Sequence, residues 1–560
     1  MKDENKNTST NSVQACQNCK KDFVIEPEDF DFYKKIDVPA PTFCPECRLI
    51  RRLSSTNERV LYSRKCDLTG KTTFSMYPEG TTFPVYETEA WYSDQWDPHE
   101  YGMDYDFSRP FFEQFHELSL RVPRMALLNK NSVNSDYTNH SGDNKNVYMS
   151  FATFGSENIM YSTWVMSLSR DCSDCSFIYE KGERLYEVID SRTSFKCQYG
   201  LFLKDCSDCS YSYDCRGCSN CFMSCNLRNK SYVFRNQQLT RGEYLEKIKE
   251  IDFSSHKVRQ KLALEFKKMY ESTAIHRYVI SERVTNSVGS LIYDCKNVNH
   301  AFEIFGGEDL KYIYSALGVK DCFDIYHVGI NTELCYESHG CTRVSNCQFC
   351  HLCYDNLNVM YSDTCQNSQN LFGCMSIKKG EYMVFNKKYS KDEYEKLKKR
   401  IIEHMKTTME FGEFFPPNIA PICYNETQGN LYMPMTRDEV LAKGWNWEDQ
   451  VPGTFGKETI NISDIPDKIE DTPESYLNEI FACENCDRNY NIVPNELTFY
   501  RAENIPFPRK CPECRYKRRF NLRPARELYH RSCMCDKNDH GHKAICKVEF
   551  ETTYNSDRPE

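Results

Sequence analysis

Residues 286–386 advance in steps of twelve, and that step excludes most architectures. Leu310, Cys322, Leu334, Asn346, Asn358 and Asn370 are each twelve apart; so are Cys335 and Cys347, and so are Cys341, Cys353 and Cys365. Ile313, Ile325, Glu337, Phe349, Tyr361 and Gly373 follow the first series at three residues' distance. An earlier block has the same habit, with Cys197, Cys209 and Cys221 in one series and Cys206 and Cys218 in another. Helical-pair repeats need over thirty residues per unit, so they cannot carry this period. Strand-like pieces such as "NVYMSF", "CSFIYE" and "LFLKDC" alternate with Asn, Asp, Gly and Ser. The pattern fits a β-solenoid, in which rungs stack and like residues form ladders. A single turn of twelve would enclose a core too thin for 37 Tyr and 34 Phe. A wider coil of about two periods, as in right-handed parallel β-helices, is therefore expected.

The two blocks are duplicates. "KSYVFRNQQLTRGEYLEKIKEI" matches "GEYMVFNKKYSKDEYEKLKKRI" at a shift of 150, so Tyr232, Asn236, Glu243 and Tyr244 fall on Tyr382, Asn386, Glu393 and Tyr394. Each copy holds a capping box, Thr240 with Glu243 and Ser390 with Glu393, which predicts a helix start. Such helices would close strand edges that otherwise stay unpaired.

The ends repeat as well. "CQNCKKDFVIEPEDFDFYKKIDVPAPTFCPECRLIRR" from Cys16 superposes without a gap on "CENCDRNYNIVPNELTFYRAENIPFPRKCPECRYKRR" from Cys483, at a shift of 467. Cys16, Cys19, Cys44 and Cys47 thereby match Cys483, Cys486, Cys511 and Cys514. Two CxxC pairs supply four thiolates, the donor set of a closed, structural Zn²⁺ site. Metal would organise a stretch too short to bury much core of its own. Beyond Cys533, the residues Cys533, Cys535, His540, His542 and Cys546 form a weaker candidate for a third zinc site.

The order C-x2-C, an aromatic, "FY", Pro, then C-P-x-C-R resembles a zinc-ribbon domain of treble-clef type. "FSRPFFEQF", "NSDYTN", "NLRNKSYVF", "HRY" and "YNET" extend the likeness to a family of large bacterial proteins with such ribbons at both ends. The resemblance implies architecture and brings no activity with it. It implies that the second CxxC opens a helix, which would place Arg48, Arg51 and Arg52, and likewise Arg515, Arg518 and Arg519, on one face. From Arg509 to Arg531 nine Lys/Arg stand against two Glu. Such a face suits phosphate, since guanidinium forks match its oxygens; it equally suits docking onto the chain's own acidic middle.

The expected fold is mainly β, a parallel β-helix or β-solenoid in two capped blocks flanked by treble-clef ribbons. The expected divisions are an N-terminal ribbon (1–70), an aromatic and acidic cap (71–139), solenoid block 1 (140–238), a helical connector (239–285), solenoid block 2 (286–388), a cap helix (389–411), a linker with a short helix at about 436–443 (412–480), and a C-terminal ribbon (481–560).

Net charge is −10, so no global basic field announces nucleic acid. The first residues carry no apolar signal-peptide core, and no apolar run spans a membrane. A cytoplasmic location follows as an expectation, with 31 cysteines reduced and paired motifs read as metal ligands before disulfides.

Two constellations compete with this reading. Cys215, Cys218, Cys221 and Cys225 have ferredoxin-like spacing, but the ladders already account for Cys218 and Cys221. Cys347, Cys350 and Cys353, beside His351, weigh the same way. Asp104 and Asp106 with Trp91 and Trp96 resemble a sugar site, since paired carboxylates serve glycosidic chemistry; the plainer reading is an aromatic cap over the first rung. The expected function is a zinc-binding, non-catalytic scaffold whose partner is RNA, a ribonucleoprotein or another protein, with no membrane association. A β-helix that binds or cuts carbohydrate is the alternative.

Overall fold

The computed structural model describes residues 12–166, 168–296, 298, 301–305, 314–317, 356–535 and 546–556, with side chains left aside at 305 and 314–317. Its centre is a fifteen-stranded, almost wholly parallel sheet running from Asn129 to Gln238. Each strand pairs with the segment one period further on: Phe151 with Thr163, Glu157 with Lys145, and Cys209 with Cys221. In four strand pairs the offset is thirteen, as in Thr163 with Ser176 and Cys172 with Leu185. The register therefore corrects the expected coil of about two periods; the chain meets itself again after one.

Backbone conformation explains how so short a period closes on itself. A left-handed residue recurs at every third position, as in Asn146, Met149, Ala152, Gly155, Asn158, Tyr161 and Trp164. The step slips by one between Trp164 and Leu168, and again between Glu180 and Arg184, which are the places where the offset becomes thirteen. Left-handed φ costs an L-residue roughly 1–2 kcal/mol, so Asn and Asp recur at these corners. Their amides also bond up the stack: Asn134 to Asn146 (2.9 Å), Asn146 to Asn158 (3.1 Å) and Asn158 to Asp171 (2.9 Å).

The residue after each corner points inward. Val147, Ile159, Val165, Cys172, Cys175, Ile178, Cys206, Cys209, Cys218 and Cys221 make one narrow core, with Ser150, Thr153, Ser156 and Ser162 buried at the intervening inward positions. Aliphatic, Cys and Ser or Thr side chains fill it tightly: a Cβ on Gly200 would collide with Leu203. This is why cysteine is so abundant here. It is small and apolar, and its S–H reaches a carbonyl, as Cys209 Sγ does to Ser207 O at 3.3 Å. The aromatics that seemed to demand a wider coil lie outside it. Trp164 and Phe177 stack at 6.1 Å and Tyr199 and Tyr211 at 4.6 Å, all at left-handed corners and under other elements. The His256–Ser272 helix packs over Tyr211 and Phe222. We predict that Cys209→Ser costs about 1 kcal/mol and Cys209→Phe about 3 kcal/mol of stability, read by denaturant melts.

The second block follows the same rule where it is described. Gly289 pairs with Ala301, Leu357 with Gln369, and Gln369 with Glu381; Asn358 donates to Asn370 at 3.3 Å. The series members between Leu310 and Cys353, with Cys347, Cys350 and His351, lie outside the described residues. Each block ends in a short antiparallel hairpin followed by a helix, Arg241–Lys249 and Lys391–Thr407, and both expected capping boxes form. The duplication holds in detail. Tyr232 packs on Tyr244 and Tyr382 on Tyr394, while Asn236 and Asn386 accept from the backbone N–H of Cys225 and Met375.

The aromatic segment after the first four-cysteine module packs over the last strands of the second block, not over the first strands of the first. Met103 N–H donates to Phe385 O, Lys378 Nζ to Trp91 O, and Arg124 pairs with Asp363 at 2.8 Å. Residues 412–480 do more than span a gap. The short helix expected near 436–443 is Arg437–Ala442. Before it, Glu426 accepts from the Tyr62 hydroxyl, and Gln428 donates to Glu58 at 2.7 Å. Burial pushes the Glu426 carboxyl up to about 7. The folded state thus holds this proton more tightly than the unfolded chain does. Its contribution is full below pH 4.5 and is lost as pH rises through about 7. Glu426→Gln should remove about 3 kcal/mol of that pH dependence, measured as unfolding free energy at pH 5 and pH 8. Among the described residues no helix is long and apolar enough to cross a membrane.

Candidate metal centres

Each end of the chain builds the same unit. A short hairpin (Ser12–Ala15 with Asp22–Ile25; Phe481–Ala482 with Asn489–Tyr490) presents the first CxxC. A nine-residue helix follows, Pro27–Lys35 or Pro494–Ala502, and the second CxxC opens another, Pro45–Leu53 or Pro512–Phe520. The string CPEC encodes that last helix start. Cys44 and Cys511 sit extended at the N-cap, Pro fills the first helical position, and Glu stands in the first turn. Proline's missing N–H is no loss there and its φ suits the helix; the acid favours the positive end of the dipole.

The turn between the hairpin strands and the helix start bring four thiols together in each copy. The sulfurs of Cys16, Cys19, Cys44 and Cys47 lie within 4.8 Å of one another, and so do those of Cys483, Cys486, Cys511 and Cys514. Cys19 to Cys44 and Cys486 to Cys511 are each 3.7 Å. A tetrahedral ion about 2.3 Å from each sulfur requires sulfurs roughly 3.8 Å apart, so the spacing fits a metal and far exceeds a disulfide bond. Backbone and amide N–H groups surround the sulfurs: Cys44 N–H donates to Cys16 Sγ (3.3 Å), Asn18 to Cys47 Sγ (3.3 Å) and Asn485 to Cys514 Sγ (3.4 Å). Burial raises Cys16, but the N–H groups of Cys44, Cys19 and Asn18 outweigh it and bring the thiol down to about 6. Cys483 is lowered in the same way, and burial raises Cys44 and Cys511. Asn18 and Asn485 escaped the sequence reading; their signal was identity at the 467-residue shift.

The other candidate cysteines do not gather. Among the described residues only these two groups have metal-ligand spacing. Cys215, Cys218 and Cys221 belong to the narrow core, whereas Cys225 faces a different cluster with Ile189 and Leu201 and accepts from Asn236. Of the weaker set, Cys533, Cys535 and Cys546 are described, with Cys546 N–H bonded to Cys535 O at 2.9 Å; His540 and His542 lie outside the described residues.

The six arginines are where the helices predict, but five are buried and the sixth, Arg518, is exposed with its guanidinium on Glu187, so they do not form a free phosphate-binding surface. Arg48, Arg51 and Arg52 are buried, as are Arg515 and Arg519. Arg51 donates to Phe414 O and lies 4.2 Å from the centre of the Phe43 ring. Arg519 is fully buried against Asp174 (2.7 Å) and Glu187 (3.4 Å). Arg515 pairs with Asp174 (3.1 Å) and Glu496 (3.4 Å) and donates to the Tyr500 hydroxyl. Burial opposes the Arg515 charge, yet Asp174, Tyr500 and Glu496 hold it well above the usual guanidinium value. Arg518 reaches Glu187. Beyond the helix, Arg523 pairs with Asp190 (2.8 Å) and Glu303 (2.6 Å), and Arg526 with Glu303 (2.7 Å). The acceptors Asp174, Glu187, Asp190 and Glu303 are all left-handed corners of the parallel sheets. Sequence reasoning did not find them, because a lone acid at a corner resembles any solvated loop acid.

The two ends also meet each other. Arg59, just past the first ribbon's helix, pairs with Glu513 at 3.2 Å and lies 3.5 Å from the centre of the Tyr516 ring. The proposed sugar-binding residues do not form a groove. Trp91 is fully buried with its N–H on Pro123 O, Trp96 donates to Trp91 O, Asp104 pairs with Lys387 and Asp106 accepts from Ser108.

Comparison of the chain with family models, with curated proteins and with solved structures finds no match.

Proposed function

We propose that this protein is a non-catalytic binding scaffold whose two ends are treble-clef ribbons, each organised by one structural Zn²⁺, docked onto a β-solenoid with one turn per twelve-residue period. The observation that carries the reading is the pair of four-cysteine clusters with matching geometry. Four thiolates suit zinc and saturate it, leaving no open position for catalysis. The N–H groups on Cys16, Cys47 and Cys514 stabilise thiolate charge and orient the ligands. Bound zinc would supply folding energy here, and the chain's own residues would do the rest: arginine helices anchor the ribbons, and capped ends seal the solenoid.

A protein partner is favoured over RNA. Phosphate recognition by Arg48, Arg51, Arg52, Arg515, Arg518 and Arg519 would need these side chains free, and their engagement inside the molecule argues against it. Elemental analysis of protein purified under reducing conditions tests the metal: two zinc per chain is expected, and iron or a metal-free protein would overturn the reading. Titration with RNA across a salt series tests the partner. Affinity falling steeply with salt would restore RNA; the expected result is no such dependence.

A further inference from the structure

The C-terminal ribbon carries a feature that the N-terminal copy lacks. Where it abuts the His256–Ser272 helix there is a cleft of about 110 Å³, with Arg259, Arg509, Lys510, Arg518 and His256 among its walls. Two of these cations, Arg259 and Arg509, form no ion pair among the described residues, although the carboxylates of Glu187 and Glu484 also line the cleft. Arg259 is 3% exposed. Its Nε donates to Phe253 O (2.7 Å) and its Nη2 to Asn504 O (3.1 Å), while its Nη1 is buried without a partner. Arg509 donates to His256 Nδ1 (3.2 Å), Ile465 O (3.1 Å) and Pro466 O (3.0 Å), all uncharged acceptors once His256 is neutral. Burial lowers His256, which keeps its ring an acceptor.

Among the described residues neither guanidinium forms an ion pair with a carboxylate. The acids nearby are engaged elsewhere: Glu484 with Lys510 (3.4 Å), Glu187 with Arg518 and Arg519, and Asp467 with the Ser255 hydroxyl and the Lys257 N–H. A buried charge without a partner costs several kcal/mol; Arg259 is such a charge, Arg509 lies half-buried beside it, and a cleft lined by both suits an anion. The ribbon fold does not require these cations. At the 467-residue shift Thr42 and Phe43 occupy the places of Arg509 and Lys510; Thr42 bonds to Glu413, and Phe43 lies under Arg51.

We propose that this cleft binds a phosphate group, held by Arg259 and Arg509 with Lys510 at its rim. Guanidinium forks match the oxygens of a tetrahedral dianion and can hold it bidentately, and the cleft has room for such a group. The site is independent of the scaffold reading and of any nucleic-acid partner.

The test is calorimetric titration of the zinc-loaded, full-length protein with inorganic phosphate, phosphoserine, acetate and chloride at matched ionic strength. Saturable binding of phosphate, at least about tenfold tighter than acetate or chloride, is expected. Arg259→Gln and Arg509→Thr should each weaken it about tenfold or more, the effect of losing one charge-assisted bond. Phosphoserine binding more tightly than inorganic phosphate would identify a phosphorylated organic ligand; equal affinities would identify the free ion. Arg509→Thr copies the N-terminal ribbon, so it decides the matter if Arg259→Gln fails to fold, and retained zinc content certifies its fold. Phosphate binding no tighter than acetate, or unchanged affinity in Arg509→Thr, would overturn the proposal.

Discussion

Cys511→Ser should lower bound zinc from the proposed two ions per chain to one and unfold the C-terminal module, because Cys511 is both one of four clustered thiols and the N-cap of the Pro512–Phe520 helix. Zinc binding in small modules of this kind contributes on the order of 10 kcal/mol to folding, far more than any single contact within so small a unit. Cys44→Ser should do the same at the other end. Cys215→Ser makes the contrast. That residue lies in the narrow core of the parallel sheet, where serine also serves, so the zinc count should stay at two and the loss of stability near 1 kcal/mol. Metal content and melting of the three variants separate ligand cysteines from core cysteines. A drop in metal content for Cys215→Ser would show that the ladder cysteines do more than fill space.

Arg519→Met should be the most damaging change outside the metal ligands. Arg519 and Asp174 are both fully buried and 2.7 Å apart. Removing the cation leaves Asp174 with Arg515 alone, and strands Glu187 on Arg518. Breaking a buried pair in this way costs about 3–5 kcal/mol. Adding Asp174→Asn should recover part of the loss, since the double variant no longer buries that carboxylate; the coupling between the two positions should exceed 1 kcal/mol in a double-mutant cycle. Additive effects would mean that the pair contributes nothing to docking.

The twelve-residue period, the duplicated blocks, their capping boxes and the eight clustered cysteines were legible in the sequence because each rests on a local rule: register, N-capping or ligand spacing. What was not legible required knowing which side of the backbone a residue faces. Tyr161, Trp164 and Phe177 are large, so a sequence reading places them inside and widens the coil to fit them. Left-handed φ at those same positions turns them outward and leaves the interior to Cys, Ser, Val, Ile and Leu. The arginine helices show the same limit. Arg515, Arg518 and Arg519 fall on one face as helical spacing dictates, but spacing does not say what that face meets. Its partners, Asp174 and Glu187, are more than three hundred residues away in the chain. The candidate metal centres were thus fully specified locally, whereas their docking sites were specified only by the fold.

The link between metal and docking is best measured by hydrogen exchange on the intact protein with and without a zinc chelator. If zinc organises each ribbon and the ribbon's arginines hold it on the sheet, chelation should deprotect the Pro512–Phe520 helix and, with it, the sheet corners around Asp174, Glu187 and Asp190. Protection of that helix and those corners unchanged after complete metal removal would contradict it.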